Sequence, residues 1–286
     1  MKTKGTIFEL FLSLYVDDGS FMFESKADLK KGTAILYHHM KRFGLLMHLG
    51  RDGGKSKTEA LYIAPPGSTA TATEADRSKV FVDNTDQGYI TFNRKLTYLG
   101  SIITEDLDNG AEISARIGKA NGILHSLNNP WRSKGLTLNM KKQFFIATIV
   151  NILLWGCKSL TLHAAELKKL EVFYHKGIRH ILNISRMKQA MDHLKNEDLC
   201  KILVNIAMLQ ETIEERRLDW LGNVARQLDT NLPKRLLTAW TSNPRKNCGQ
   251  KLTLRDSNAT AINCMLTYNE IEKSPSNECP SNLCAP

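Results

Sequence analysis

Paired cysteines are the feature that the chain most plainly lacks. It has six cysteines but no Cys-x-x-Cys pair. The last histidine is His193, so Cys279 and Cys284 near the end have no later histidine with which to complete a zinc knuckle. Reduced thiols in an intracellular protein are therefore expected, and structural disulfides are not.

A long apolar run is also missing. The longest, residues 144–155, is interrupted by Asn151 and is too short to cross a bilayer, so it predicts a buried helix. The segment after Met1 does not have the pattern of a signal peptide, because its apolar run is broken by Glu9 and soon followed by acidic residues. No membrane partner is predicted.

Positive charge is concentrated in one block. Residues 1–130 carry 16 Lys and Arg against 15 Asp and Glu, residues 131–255 carry 22 against 10, and residues 256–286 carry 1 against 4. The net charge of +10 therefore comes from the middle block. Such a block favours a polyanionic partner, because each neutralised phosphate releases counterions. A solvated basic surface explains the same counts.

The first part of the sequence predicts a hairpin and a helix. Residues 7–15 and 20–24 are typical of extended segments, and Asp18-Gly19 between them suits a tight turn. Ser25 and Asp28 indicate a capping box that opens a helix ending near Gly44. The predicted apolar stripe of this helix is Leu29, Leu36, Met40 and Phe43.

The remaining pattern changes from strands to helices. Strands are predicted near 59–63, 79–82, 89–92 and 96–103. Helices are predicted near 110–127, 139–155, 164–183, 192–204 and 208–227. The third of these helices has one apolar stripe, formed by Leu167, Leu170, Tyr174, Ile178 and Ile181. A low-complexity connector is predicted at 64–76.

The sharpest local feature is Tyr15-Val16-Asp17-Asp18 at the predicted hairpin turn. Two adjacent carboxylates at a hairpin tip are not neutralised by burial, and a metal cation is one of the few partners that make their crowding favourable. On its own the pattern also fits a solvated Asp-Asp-Gly turn. The segments that follow it decide between these interpretations.

Those segments occur in the order found in the palm domain of reverse transcriptases from non-LTR retrotransposons. That palm has a YxDD hairpin, a helix, a Gly-Leu segment, a Lys-Thr-Glu-like stretch and a Tyr-Leu-Gly turn. The chain resembles it with YVDD, the helix from Ser25, Gly44-Leu45-Leu46, Lys57-Thr58-Glu59 and Tyr98-Leu99-Gly100.

The resemblance extends toward the C-terminus, over about residues 7–255 in all. Residues 216–226, RRLDWLGNVAR, followed by Leu232-Pro233-Lys234-Arg235, resemble an Arg-rich Trp-Leu-Gly-His-Val element of many such proteins. Asn223 stands where His is usual, and Gly249-Gln250-Lys251 stands where Gly-Arg-Pro is common.

The resemblance implies a two-metal phosphoryl transfer that extends a DNA primer on an RNA template. Asp17 would be the main Mg²⁺ ligand and Asp18 a secondary one. Lys57 or Lys55 would act at the triphosphate, and a solvated loop lysine fits either position equally well. The turn Tyr98-Leu99-Gly100 would grip the primer end, although a plain strand turn fits it too.

Two further sets of side chains have expected places. Trp155 and Trp220 lie among aliphatic residues at helical spacing, which favours the core over base stacking. The residues expected to contact phosphate are Arg216, Arg217, Arg226, Lys234 and Arg235.

The catalytic set is expected to be incomplete. A two-metal site needs a further carboxylate from an earlier palm strand, together with fingers that clamp the nucleotide. The single acid before Tyr15 is Glu9, on the same predicted strand. The sequence therefore predicts a fragment of a longer reading frame or a decayed element, inactive by itself.

The sequence as a whole predicts an α+β chain. A partial polymerase palm with a β-hairpin, a small antiparallel sheet and a helix is expected at 1–105, a basic helical thumb-like region at 106–255, and a disordered or truncated tail at 256–286. The predicted function is RNA-directed DNA polymerase, a nucleotidyltransferase, with nuclear localisation implied by the resemblance. The rival is a non-enzymatic helical nucleic-acid-binding protein in which YVDD is an ordinary turn. The oligomeric state is left open.

Overall fold

The computed structural model describes residues 12–51, 54–64, 79–82 and 88–238. They form two compact units, one up to Lys119 and one from Ala120 to Leu237. The division falls inside a helix, later than the boundary expected near residue 105. The predicted tail at 256–286 and nearly all of the predicted connector lie outside the described residues.

The first unit is a mixture of short strands and helix. Its elements are β1 (Leu12–Tyr15), β2 (Asp18–Phe21), α1 (Lys26–Arg42), β3 (Glu59–Ala60), β4 (Val80–Phe81), β5 (Tyr89–Phe92), β6 (Lys95–Tyr98), β7 (Ser101–Thr104) and the start of α2 (Gly110–Ser126). Mixed α and β structure was predicted, and in this coarse sense the fold class is confirmed.

The predicted hairpin is present, but its turn lies two residues earlier than expected. Strands β1 and β2 pair antiparallel from Leu12 with Phe21 to Tyr15 with Asp18, so Val16 and Asp17 form the turn. The expectation that Asp18-Gly19 turns the chain is wrong. Gly19 lies in β2, where a Cβ atom would meet the side chains of Phe21 at 3.0 Å and Leu14 at 3.2 Å. Glycine is suited to this strand position because those side chains cover it.

Helix α1 begins as its sequence predicts. The Ser25 hydroxyl oxygen accepts a hydrogen bond from the backbone N–H of Asp28 at 3.1 Å, which satisfies a free donor of the first turn. Its buried side chains are Thr33 and Tyr37. The predicted apolar stripe of this helix is wrong at its last residue, because Phe43 is 71% exposed.

A mixed sheet supports α1. Its strand order is β3-β5-β4, with β3 parallel and β4 antiparallel to β5, so the predicted purely antiparallel sheet is wrong. The apolar core of this unit is formed by Tyr37, Leu49, Ala60, Val80, Val82 and Ile90. The single strand expected at 96–103 is instead the hairpin of β6 and β7.

The second unit is helical in its described part. After the end of α2 come α3 (Asn128–Arg132), α4 (Leu138–Phe144), a π-helical segment (Phe145–Val150), α5 (Asn151–Leu153), α6 (Ala164–Leu182), α7 (Arg186–Met191), α8 (Asn196–Ile202), α9 (Leu209–Ala225) and α10 (Leu232–Thr238). The helix expected at 192–204 is wrong in extent, since α8 covers only Asn196–Ile202 and the separate helix α7 ends at Met191, before this region. No described helix is long and apolar enough to cross a membrane.

Helix α6 is the centre of this unit. Leu170, Tyr174, Ile178 and Ile181 are buried, as the spacing predicts. The Tyr174 ring packs against the buried ring of Phe145 at a centroid distance of 5.6 Å. Trp155, expected in the core, is 55% exposed.

Gly177 lets α6 approach the π-helical segment. A Cβ atom at this position would lie 2.8 Å from Cε2 of Phe145, whose side chain is fully buried. Gly122, in the same unit, would meet nothing within 4 Å. The two glycines therefore provide a matched pair for testing the packing.

We expect Gly177→Ala to lower the free energy of unfolding of the helical unit by about 1–3 kcal/mol, because the core has no room for the methyl group. Gly122→Ala should raise it by about 0.5–1 kcal/mol, since alanine favours an open helical position. Urea unfolding monitored by tryptophan fluorescence measures both. A Gly177→Ala variant as stable as Gly122→Ala would contradict the packing of α6 on Phe145.

Candidate functional site

The carboxylates of Asp17 and Asp18 lie at the tip of the β1–β2 hairpin, and both residues are exposed. Val16 beside them is 91% exposed and has a φ of 55°, a left-handed conformation that is uncommon for a β-branched residue. The turn thus presents two adjacent acids to solvent, as expected for the hairpin. Within the described part of the chain, no group of three or more metal-ligating side chains comes together.

The β6–β7 hairpin lies beside the acidic hairpin. The Tyr98 hydroxyl is 3.4 Å from the Ser13 hydroxyl oxygen, at the long end of hydrogen-bond distance. This contact joins the Tyr-Leu-Gly turn to strand β1 across 85 positions of sequence. The Tyr-Leu-Gly turn therefore contacts the strand that leads into YVDD.

The Tyr-Leu-Gly turn has an unusual backbone. Leu99 has a φ of 48° and Gly100 a φ of 80°, so both central residues are left-handed, as two-residue hairpin turns of this kind require. Glycine adopts this conformation without strain, whereas leucine does not. Other contacts must hold Leu99 in place.

A buried ion pair on α2 supplies those contacts. Glu112 accepts a hydrogen bond from the backbone N–H of Ile102 at 2.8 Å, and its other oxygen lies 2.6 Å from Nε of Arg116. Arg116 in turn donates to the carbonyl oxygen of Gly100. Glu112 is 2% and Arg116 6% exposed, so both charges are removed from water. Sequence reasoning missed this pair; its one signal was an acid and a base four residues apart.

Three lysines surround an open cleft of about 510 Å³ in the first unit. Lys55, Lys57 and Lys95 line it, together with Glu59. Ser56 is buried between the first two lysines, and its hydroxyl lies 2.6 Å from the carbonyl oxygen of Thr58. Both neighbouring lysines are exposed, so the geometry does not choose between Lys55 and Lys57.

The five basic residues predicted to contact phosphate have different surroundings. Arg217 is buried and donates to the carbonyl oxygen of Leu160 at 2.8 Å, so its guanidinium does not face solvent as a phosphate contact requires. Burial lowers the pKa of its guanidinium. Lys234 donates to the carbonyl oxygens of Ala225 and Gln227, where it caps the end of α9.

The other members are closer to the surface. Arg216 donates to the side-chain oxygen of Asn151 at 2.5 Å, and exposed Arg226 donates to that of Asn223 at 2.7 Å. Arg235 is partly exposed in α10. Neutral amides therefore orient Arg216 and Arg226, which leaves their charge uncompensated by these contacts.

Two cysteines of this unit are buried free thiols. Burial raises the pKa of Cys157, against the effect of Arg216 and Arg217, and burial raises the pKa of Cys200 to about 11. Both thiols are consequently protonated at neutral pH, where a thiol is a poor nucleophile. The expectation of reduced cysteines is confirmed for these two.

Comparison with known proteins adds no relative. No protein-family model matches the chain, and no curated protein or solved structure matches it either. The resemblance to reverse transcriptases therefore stays a prediction based on the motifs.

We expect Glu112→Gln to destabilise the first unit by about 3–5 kcal/mol, because it leaves the Arg116 guanidinium buried without its countercharge. Hydrogen exchange at the Ile102 amide should accelerate in parallel. Replacing both residues, as Glu112→Leu with Arg116→Met, should cost less than the sum of the two single changes.

Ser114→Ala is the matched control, since Ser114 is exposed on the same helix. Native-state hydrogen exchange measured by NMR compares these variants with the wild-type chain. Additive effects of the two single changes would contradict the role of the pair in holding the turn.

Proposed function

We propose that the chain is the C-terminal part of an RNA-directed DNA polymerase of the non-LTR retrotransposon kind. Its first unit contributes the YxDD hairpin and primer-grip turn of the palm, and its second unit is a thumb-like region that binds nucleic acid. The observation that carries the proposal is the contact between Tyr98 and Ser13, because it brings two motifs far apart in sequence to one place.

The acids and lysines of the first unit support this chemistry. Asp17 and Asp18 are hard oxygen ligands of the type that Mg²⁺ prefers, and two such ions would lower the barrier to attack by a primer 3′-hydroxyl. In this chain the hairpin contributes two carboxylates to such a site. Lys55, Lys57 and Lys95 offer positive charge to a triphosphate or a nucleic-acid strand.

The turn suits a role in positioning. Leu99 and Gly100 are exposed, so a strand that runs past the acidic hairpin can reach them. The buried pair of Glu112 and Arg116 fixes this backbone from behind. A rigid support of this kind keeps a reacting end in place at no further cost in conformational entropy.

The test locates the site on the protein at which a primer terminus binds. A DNA primer with a 3′-terminal 4-thiothymidine is annealed to an RNA template, bound to the full chain with Mg²⁺, irradiated and mapped by mass spectrometry. We expect crosslinks in residues 12–21 and 95–104. The double variant Asp17→Asn, Asp18→Asn should lose the crosslinks that depend on Mg²⁺, because amides bind the ion poorly.

Asp106→Asn with Asp108→Asn is the control, since these acids follow β7 in the same unit. Primers with 4-thiothymidine at an internal position crosslink where the strand binds. Their crosslinks are compared with those of the terminal 4-thiothymidine, which report where the primer end lies. Terminal crosslinks confined to residues 120–238 would contradict the polymerase proposal and favour the non-enzymatic nucleic-acid-binding protein.

A further inference from the structure

Three helices of the second unit present polar residues four positions apart on each helix. They are Asn121 and His125 on α2, Asn128 and Arg132 on α3, and Lys176 and His180 on α6. Residues at this spacing lie on one face of a helix. We call the six residues the α2–α3–α6 surface.

Side-chain contacts show that the three faces adjoin. Lys176 donates to the side-chain oxygen of Asn121 at 3.0 Å, and His180 donates through Nε2 to that of Asn128 at 2.6 Å. The rings of His125 and His180 meet edge to face at a centroid distance of 5.5 Å. These contacts connect five of the six residues, and the charge of Arg132 acts on His180.

This surface is accessible and lacks negative charge. His125, Arg132 and Lys176 are exposed, and His180 is half-buried. The sequence contains no Asp or Glu between Glu112 and Glu166, so α3 and the part of α2 in this unit contribute no acid. Within the described residues, the charged groups that act on His180 are His125, Arg132 and Lys176.

We propose that the α2–α3–α6 surface binds the phosphates of a nucleic-acid backbone. Arg132 offers a planar set of donors that matches phosphate, Lys176 offers a point charge, and the two histidines and two asparagines offer N–H donors. The choice of nucleic acid among polyanions rests on the proposed function. Its six residues differ from the basic residues predicted at 216–235.

The histidine pair links this binding to pH. Burial, with help from the neighbouring cations, lowers the pKa of His180, so the free protein has this ring neutral at neutral pH. A bound phosphate offsets the neighbouring positive charge and raises the pKa again. Binding is then accompanied by proton uptake, and the affinity increases as the pH falls through the pKa of His180 in the complex.

The test measures binding of the full chain to a fluorescein-labelled RNA–DNA heteroduplex by anisotropy at several salt concentrations. Arg132→Ala with Lys176→Ala should weaken binding about tenfold and reduce the salt slope by about 0.7–0.9 for each phosphate that the protein no longer neutralises. Lys188→Ala with Lys201→Ala is the control, since it removes the same charge from exposed residues of α7 and α8. Circular dichroism confirms that each variant is folded.

The pH dependence is tested with His180→Gln beside His193→Asn. His193 lies in the same unit with a φ of 51°, a backbone conformation that asparagine tolerates. We expect the gain in affinity at low pH to shrink in His180→Gln and to persist in the control. NMR titration should show a higher pKa for His180 with heteroduplex bound than without it.

The possible results separate this surface from the proposed function. If the wild-type chain binds the heteroduplex and Arg132→Ala with Lys176→Ala weakens binding no more than the lysine control, the surface is not the site and the proposed function stands. If the wild-type chain binds no heteroduplex at all, both proposals fail.

Discussion

The buried ion pair of Glu112 and Arg116 is the interaction on which the candidate site depends. It satisfies Ile102 N–H and the Gly100 carbonyl, and so holds a turn whose leucine has an unfavourable left-handed backbone. A buried pair contributes little net stability, because desolvation of the charges offsets their attraction. Its value here is geometric. It fixes the turn that carries Tyr98, which contacts the acidic hairpin through Ser13.

Charge is arranged differently in the two units. In the first, Asp17 and Asp18 occupy a hairpin tip, while three lysines and Glu59 line the cleft at β3 and β6. In the second, asparagine side chains orient three cations, the half-buried Arg216 and the exposed Arg226 and Lys176. A neutral partner orients a cation without cancelling its charge, which suits a surface for polyanions.

Local signals predicted much of this fold. Three signals act over only a few residues, and each predicted an element that is present. They are the Ser25 cap, the apolar spacing in α6 and the YVDD pattern. Pairing partners were beyond sequence reasoning: β3 and β4 have two residues each, and their place beside β5 depends on packing against α1. Arg216 and Arg217 show the same limit. The side chains of adjacent helix residues point about 100° apart, so one of these two arginines faces the core. It is Arg217, which donates to the carbonyl oxygen of Leu160.

We propose that Asp17 and Asp18 hold a divalent cation next to the Tyr-Leu-Gly turn. Paramagnetic broadening of backbone amide signals by Mn²⁺, with an RNA–DNA primer–template bound to the full chain, tests it most directly. We expect selective broadening at residues 14–20 and 97–102, which should disappear in the Asp17→Asn, Asp18→Asn double variant. Broadening spread over other exposed acids, and unchanged in that variant, would contradict it.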